Sequence, residues 1–140
     1  YAARLTANVS MRESIKDYID RGGYAFAECG GMLYLCDSID GYEMCGLLPI
    51  KATMDNAHLH LGYRTVKTEN FTICGHEFHY SSVIEDGTRI KDYIYPARQY
   101  DVNGKEVNTP LYRYKNAIAG YTHMYWGNND INGLYEDLHT

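Results

Sequence analysis

The stretch Tyr24-Ala25-Phe26-Ala27-Glu28-Cys29-Gly30-Gly31-Met32-Leu33-Tyr34-Leu35 decides how the chain is read. Tyr24 to Glu28 has the texture of a short buried strand. Gly30 onward opens a helix, and Cys29 stands at the corner between them. The two glycines relieve the crowding of such a turn. Working outward, Ser10 lies three residues before Glu13, a capping-box spacing. Met11, Ile15, Tyr18 and Ile19 follow on one helical face, which predicts a helix over 11–21 closed by Gly22-Gly23. Helix, strand, tight turn and helix together predict an α/β fold with a parallel sheet.

Beyond Asp40-Gly41 the texture changes. Runs suited to strands cover 43–48, 59–68, 71–82, 91–95, 111–115 and 117–125. Turn signals such as Glu85-Asp86-Gly87 and Val102-Asn103-Gly104 separate them, so several strands are expected to pair antiparallel. Asp130 to Leu138 reads as a last short helix. The 140 residues make one domain's worth, with 45% hydrophobic and 22% charged residues. No apolar run approaches the length of a membrane span. A net charge of −5 argues against nucleic acid as a partner. Most of the 15 tyrosines fall in strand-like runs, without the basic residues a stacking surface would need. The four cysteines, 29, 36, 45 and 74, form no CxxC pair and no regular spacing, and no signal-peptide pattern is seen. Free thiols in a reducing, cytoplasmic compartment are the expectation.

Cys29 at a strand-to-helix corner has the layout of an activated nucleophile. The helix start offers unpaired N–H groups that would lower the thiol's pKa, and the Gly30 N–H is placed to hold an oxyanion. The alternative is a buried structural cysteine. A thiol nucleophile needs a base, usually histidine. His123 sits late in the chain in Ala119-Gly120-Tyr121-Thr122-His123-Met124-Tyr125, at a strand end. His139 lies next to the terminus. His58 and His60 flank Leu59 and read as the solvent face of a strand. His76 and His79, in Gly75-His76-Glu77-Phe78-His79-Tyr80, would point to opposite faces of a strand, which argues against a chelating pair. The spacing of a structural zinc site is absent, so no metal is expected.

Four separated blocks resemble the cobyrinic acid a,c-diamide synthases, glutamine-dependent enzymes of corrinoid biosynthesis. They are Leu5-Thr6-Ala7-Asn8 with Ser10-Met11-Arg12-Glu13-Ser14-Ile15, the stretch from Tyr24 to Leu35, Leu61-Gly62-Tyr63-Arg64, and Gly75-His76-Glu77-Phe78-His79-Tyr80-Ser81. The resemblance implies a single flavodoxin-like, class I glutamine amidotransferase domain over 1–140. It implies Cys29 as nucleophile, His123 in Tyr121-Thr122-His123 as base and acid, and Gly30 and Gly31 at the oxyanion and glutamine. Many class I relatives carry an acid two residues after the histidine. Tyr125 stands there, so a dyad is implied, with some other group fixing the ring. Met32-Leu33-Tyr34 replaces the glutamine usual after the cysteine.

In that family ammonia passes to an upstream synthase domain, where ATP and Mg activate the a and c carboxylates of cobyrinic acid. No GxxxxGK[ST] occurs here, so no cofactor is expected in this chain, which reads as a C-terminal piece of a longer synthase without its early strands. Such a piece is expected to hydrolyse glutamine weakly and to self-associate, as a homodimer, along its uncovered edge. His76 and His79 are expected to line the surface facing the synthase domain or the tetrapyrrole. Nickel-sirohydrochlorin amidation and cobyric acid synthesis are alternatives within the class. A non-catalytic docking module is the alternative outside it, and metal binding through the histidines a further one.

Overall fold

The computed structural model describes residues 1–128 and 131–139. Two helices open the chain, α1 (Ala2–Ala7) and α2 (Val9–Asp20). Then come β1 (Ala25–Glu28), α3 (Gly30–Leu35), β2 (Cys36–Ile39), β3 (Tyr42–Glu43) and β4 (Leu48–Thr53). A β-rich stretch follows: β5 (His60–Lys67), β6 (Thr72–His79), β7 (Ser82–Glu85), β8 (Ile94–Tyr95), β9 (Arg98–Tyr100) and β10 (Glu106–Val107). β11 (Leu111–Tyr114), β12 (Ala117–Gly120), β13 (His123–Met124) and α4 (Asn132–Leu138) close it. The result is a mixed α/β architecture. Asp130, the expected start of the last helix, lies outside the described residues. No helix among them is long and apolar enough to cross a membrane.

The predicted helix over 11–21 starts earlier and is capped differently. The Asn8 side chain, not Ser10, accepts the Met11 N–H at 3.2 Å, and the Ser10 hydroxyl donates to Asn8 instead. Asn8 wins because one residue capping α2 from outside lets Val9 and Ser10 join the helix. Gly22 then turns the chain with φ +90°, as the glycine pair foretold.

Among the described residues three sheets form, in the orders β1-β12-β11-β8, β10-β9-β5-β6-β13 and β3-β2-β4-β7. Only β1 with β12 and β2 with β4 run parallel; the rest pair antiparallel, so the parallel sheet predicted from the first third is a minority feature. Short connections explain the antiparallel neighbours β5–β6, β9–β10 and β11–β12, since a hairpin closes in a few residues. The strand read over 43–48 stops at Glu43. The N–H groups of Met44, Cys45, Gly46 and Leu47 bond instead to carbonyls of Asp37, Tyr34, Cys36 and Leu35, which folds this segment over the end of α3. The run 71–82 splits into β6 and β7. The run 91–95 is a 3₁₀ turn, Ile90–Tyr93, before β8. The run 117–125 splits into β12 and β13, which belong to different sheets.

β12 is buried on both faces. Ala117 and Ala119 join Met32, Leu35, Ile50 and Tyr112 in one core, while Ile118 joins Val66, Ile73, Leu111 and Met124 in the other. β1 repeats the alternation beside it: Ala25 and Ala27 pack toward the first core and Phe26 toward the second. By the same period, Glu28 leaves β1 on the Phe26 side.

Candidate active site

Cys29 ends β1 with φ 51° and ψ −109°, a backbone conformation that L side chains rarely adopt. Neighbouring hydrogen bonds hold it there. Its N–H donates to the Gly120 carbonyl at 2.7 Å, extending the β1–β12 register by one residue. Its carbonyl accepts the Leu33 N–H at 3.1 Å, the first turn of α3. The thiol lies 3.9 Å from the Phe78 carbonyl on β6. A Cβ at Gly31 would meet the Ala27 methyl at 3.5 Å, an ordinary contact, and one at Gly30 would meet open space, so neither glycine is required by crowding.

The thiol differs from the sequence expectation in one respect. Burial pushes its pKa up, the Gly30 N–H to the sulfur pulls it down, and the Glu28 charge pushes it up again; the net is upward. α3 has only six residues, so it supplies little dipole to offset the burial. The net shift favours the protonated thiol.

His123 opens β13, two residues after β12 ends, and pairs with His76 of β6. The two rings stack with centroids 5.0 Å apart. His76 Nδ1 is 3.0 Å from the Tyr125 hydroxyl. Since Glu28 pairs with Gly120, the end of β1 and the start of β13 meet at one end of the first sheet. Glu28 joins them. Its Oε1 accepts the Met124 N–H at 3.1 Å and the Trp126 Nε1–H at 3.3 Å. Its Oε2 lies 3.6 Å from His123 Nδ1. Trp126 stands edge-on to Phe26 at 5.0 Å, closing the side of the pair. Sequence reading passed over Glu28. The available signal was a lone carboxylate in a short apolar strand, on the alternation that sends Phe26 inward.

His76 and His79 do point to opposite faces of β6, but only His76 reaches the outer face. His79 is 8% exposed. Its Nε2 is 3.1 Å from Glu77 Oε2, its Nδ1 is 2.9 Å from the Ser81 carbonyl, and its ring stacks on Tyr121 at 3.5 Å. His76 therefore lies at the outer face of β6 and His79 at the buried one. Glu77 also takes the Arg64 Nε–H at 3.0 Å. Burial pushes Glu77 up, but donors from Thr109, Arg64 and His79 outweigh it and hold the carboxyl below its usual range. His60 corrects another expectation. It is half-buried: Nε2 is shut off from solvent with no hydrogen-bond partner among the described residues, and the ring stacks 4.7 Å from His79, while Leu61 is 62% exposed. Burial, then the neighbouring His79 and His58, push His60 down. His60, Glu77, His79, Ser81 and Tyr121 border a cavity of about 190 Å³.

All four cysteines are free thiols. Among the described residues no three His, Cys, Asp or Glu side chains converge as a metal site.

A cysteine in a strained strand-to-helix corner, an N–H on its sulfur and an imidazole brought to the same sheet end are the parts of thiol-based acyl transfer. This fold and site place the molecule among α/β domains with a cysteine elbow. Within that class the chain belongs to the CobB/CobQ-like glutamine amidotransferase domain family, which it matches over residues 1–131. It is 35% identical to the cobyrinate a,c-diamide synthase of Priestia megaterium over 92% of this chain and 30% of that protein. It is 32% identical to the hydrogenobyrinate a,c-diamide synthase of Streptomyces coelicolor over 90% of this chain and 26% of that protein. With the cobyrinate a,c-diamide synthase of Methanothermobacter thermautotrophicus it shares 40% identity over 60% of this chain and 21% of the relative. The chain thus spans about a third or less of these relatives.

Proposed function

We propose that this chain releases ammonia from glutamine for an ATP-dependent amidation carried out by a companion synthase domain. Cys29 Sγ attacks the side-chain amide carbon while His123 takes the thiol proton. The Gly30 N–H holds the oxyanion, and Gly31 lines the glutamine site beside it. Collapse of the intermediate expels ammonia, protonated by His123, and leaves a glutamyl thioester. A water activated by His123 hydrolyses the thioester and restores the thiol. The complete domain has the flavodoxin-like class I arrangement. The companion domain binds ATP and Mg, and the ammonia goes to the a and c carboxylates of a cobyrinate-type tetrapyrrole, as the names of the relatives suggest. His76, on the outer face of β6 beside His123, lies where that domain would dock.

The observation that carries this reading is the Cys29 corner: a non-glycine residue with φ 51°, pinned to Gly120 on one side and to Leu33 on the other. Strain of this kind persists where the surrounding structure over-determines it, and it collects at reacting residues. The test is Cys29→Ala in the whole synthase. Glutamine-dependent amidation is expected to vanish while amidation with added ammonium salt continues. Glutamine use at the parent rate would end the assignment.

A further inference from the structure

We propose that Glu28 is the positioning residue for His123, a carboxylate supplied by the position just before the nucleophile. This inference rests on the roles proposed above for Cys29 and His123. The family-type acid position holds Tyr125, whose hydroxyl is engaged with His76. Glu28 is the carboxylate beside the His123 ring, with Oε2 at 3.6 Å from Nδ1. A carboxylate on Nδ1 keeps that nitrogen protonated and turns Nε2 outward as the acceptor for a thiol proton. The 3.6 Å separation is an ion-pair distance, longer than a hydrogen bond, and apo sites of this kind tighten when substrate closes them.

Glu28 does not rest on that one contact. Its other oxygen holds the Met124 N–H and the Trp126 indole N–H, so the carboxylate fixes the backbone that follows His123 as well as the ring. One residue therefore sets the spacing between the β1 corner and the β13 start. The groups that meet the His123 ring are Glu28 from β1 and His76 from β6, with Tyr125 behind His76.

The sign of the effect separates positioning from simple charge. The Glu28 charge disfavours the Cys29 thiolate. If that were its whole action, Glu28→Gln would raise glutaminase turnover. Positioning predicts the reverse. The substituted amide is nearly the same size as the carboxylate and keeps an acceptor for Met124 and Trp126, so the fold stays, but the charge that stabilises the imidazolium is gone.

In the whole synthase, glutamine-dependent kcat of Glu28→Gln is expected to fall on the order of 100-fold with KM little changed. Glu28→Asp, which keeps the charge on a shorter arm, is expected to restore part of the rate, a rescue that a merely structural role would not give. Melting curves of all three proteins check that the fold is kept. Parent kcat in Glu28→Gln, with His123→Ala inactive, overturns the role of Glu28 alone. Glutamine turnover surviving in His123→Ala overturns the underlying reading and this one with it.

Discussion

At the scale of single residues, the Cys29 backbone carries a cost that can be measured. A non-glycine residue held in such a conformation loses roughly 1–3 kcal/mol, while glycine adds back part of that through its unfolded-state freedom. Cys29→Gly is therefore expected to be more stable than Cys29→Ala by about 1 kcal/mol, read from paired urea titrations. Equal stability would mean the corner is unstrained. The corner itself was legible from Glu28-Cys29-Gly30-Gly31, because glycines after a strand have few other uses. The state of the thiol was not. Local sequence shows the N–H donors near a cysteine but not the burial that pushes its pKa up, nor that the Glu28 charge lies close enough to add to the push.

At the scale of elements, the placement of His123 depends on how closely β13 approaches β6. Gly75 is the reason it can. A Cβ there would collide with the His123 carbonyl and crowd the Thr122 methyl. Gly75→Ala is expected to cost on the order of 1–3 kcal/mol and to displace the His123 ring from Glu28. Its signature is a loss of glutamine-dependent turnover with an altered imidazole resonance for His123 by NMR. Turnover and resonance both unchanged would show that β13 yields without moving the ring. β5 and β6 were legible as strands, but the inward face of β5 was not. In His58-Leu59-His60-Leu61 the leucines point out and His60 points in, because β6 offers His79 as a stacking partner and Glu77 as a charge nearby. Polarity alternation gives the period of a strand; which half is buried depends on the neighbouring strand. The run 117–125 likewise shows one strand's chemistry, and the change of sheet at Tyr121-Thr122 follows only from where β6 and β12 end up.

At the scale of the molecule, the Glu77 cluster ties separate parts together. Arg64 reaches it from β5 and His79 along β6, and the His79 ring packs on Tyr121 at the exit from the first sheet. Tyr121 in turn bonds Ser81 at 2.9 Å, and burial lifts its hydroxyl to about 12, so it stays protonated at any working pH. Acid should loosen this junction. His60 and Glu77 are both held below their ordinary values of 6.5 and 4.5, so each contributes stability above that value. The contribution is lost as pH falls, first through the His60 range and then through that of Glu77. Melting temperature is expected to decline from about pH 6.5 downward and more steeply below about 4.5, with His60→Phe flattening the upper part. A profile of His60→Phe that overlays the parent between about pH 7 and 5 would remove His60 from the account.

The pairing of β1 with β12 has a consequence in time as well as in space. Ala25 lies beside Ala117, and the residue after β1 is pinned to Gly120. A ribosome emits Cys29 long before the strand that holds it. Contacts so distant in the chain close late, after the local hairpins β5–β6 and β11–β12 have formed. The nascent polypeptide therefore carries an unassembled thiol until β12 and β13 emerge. A translation product stopping short of β13 would lack His123, the base proposed to serve Cys29.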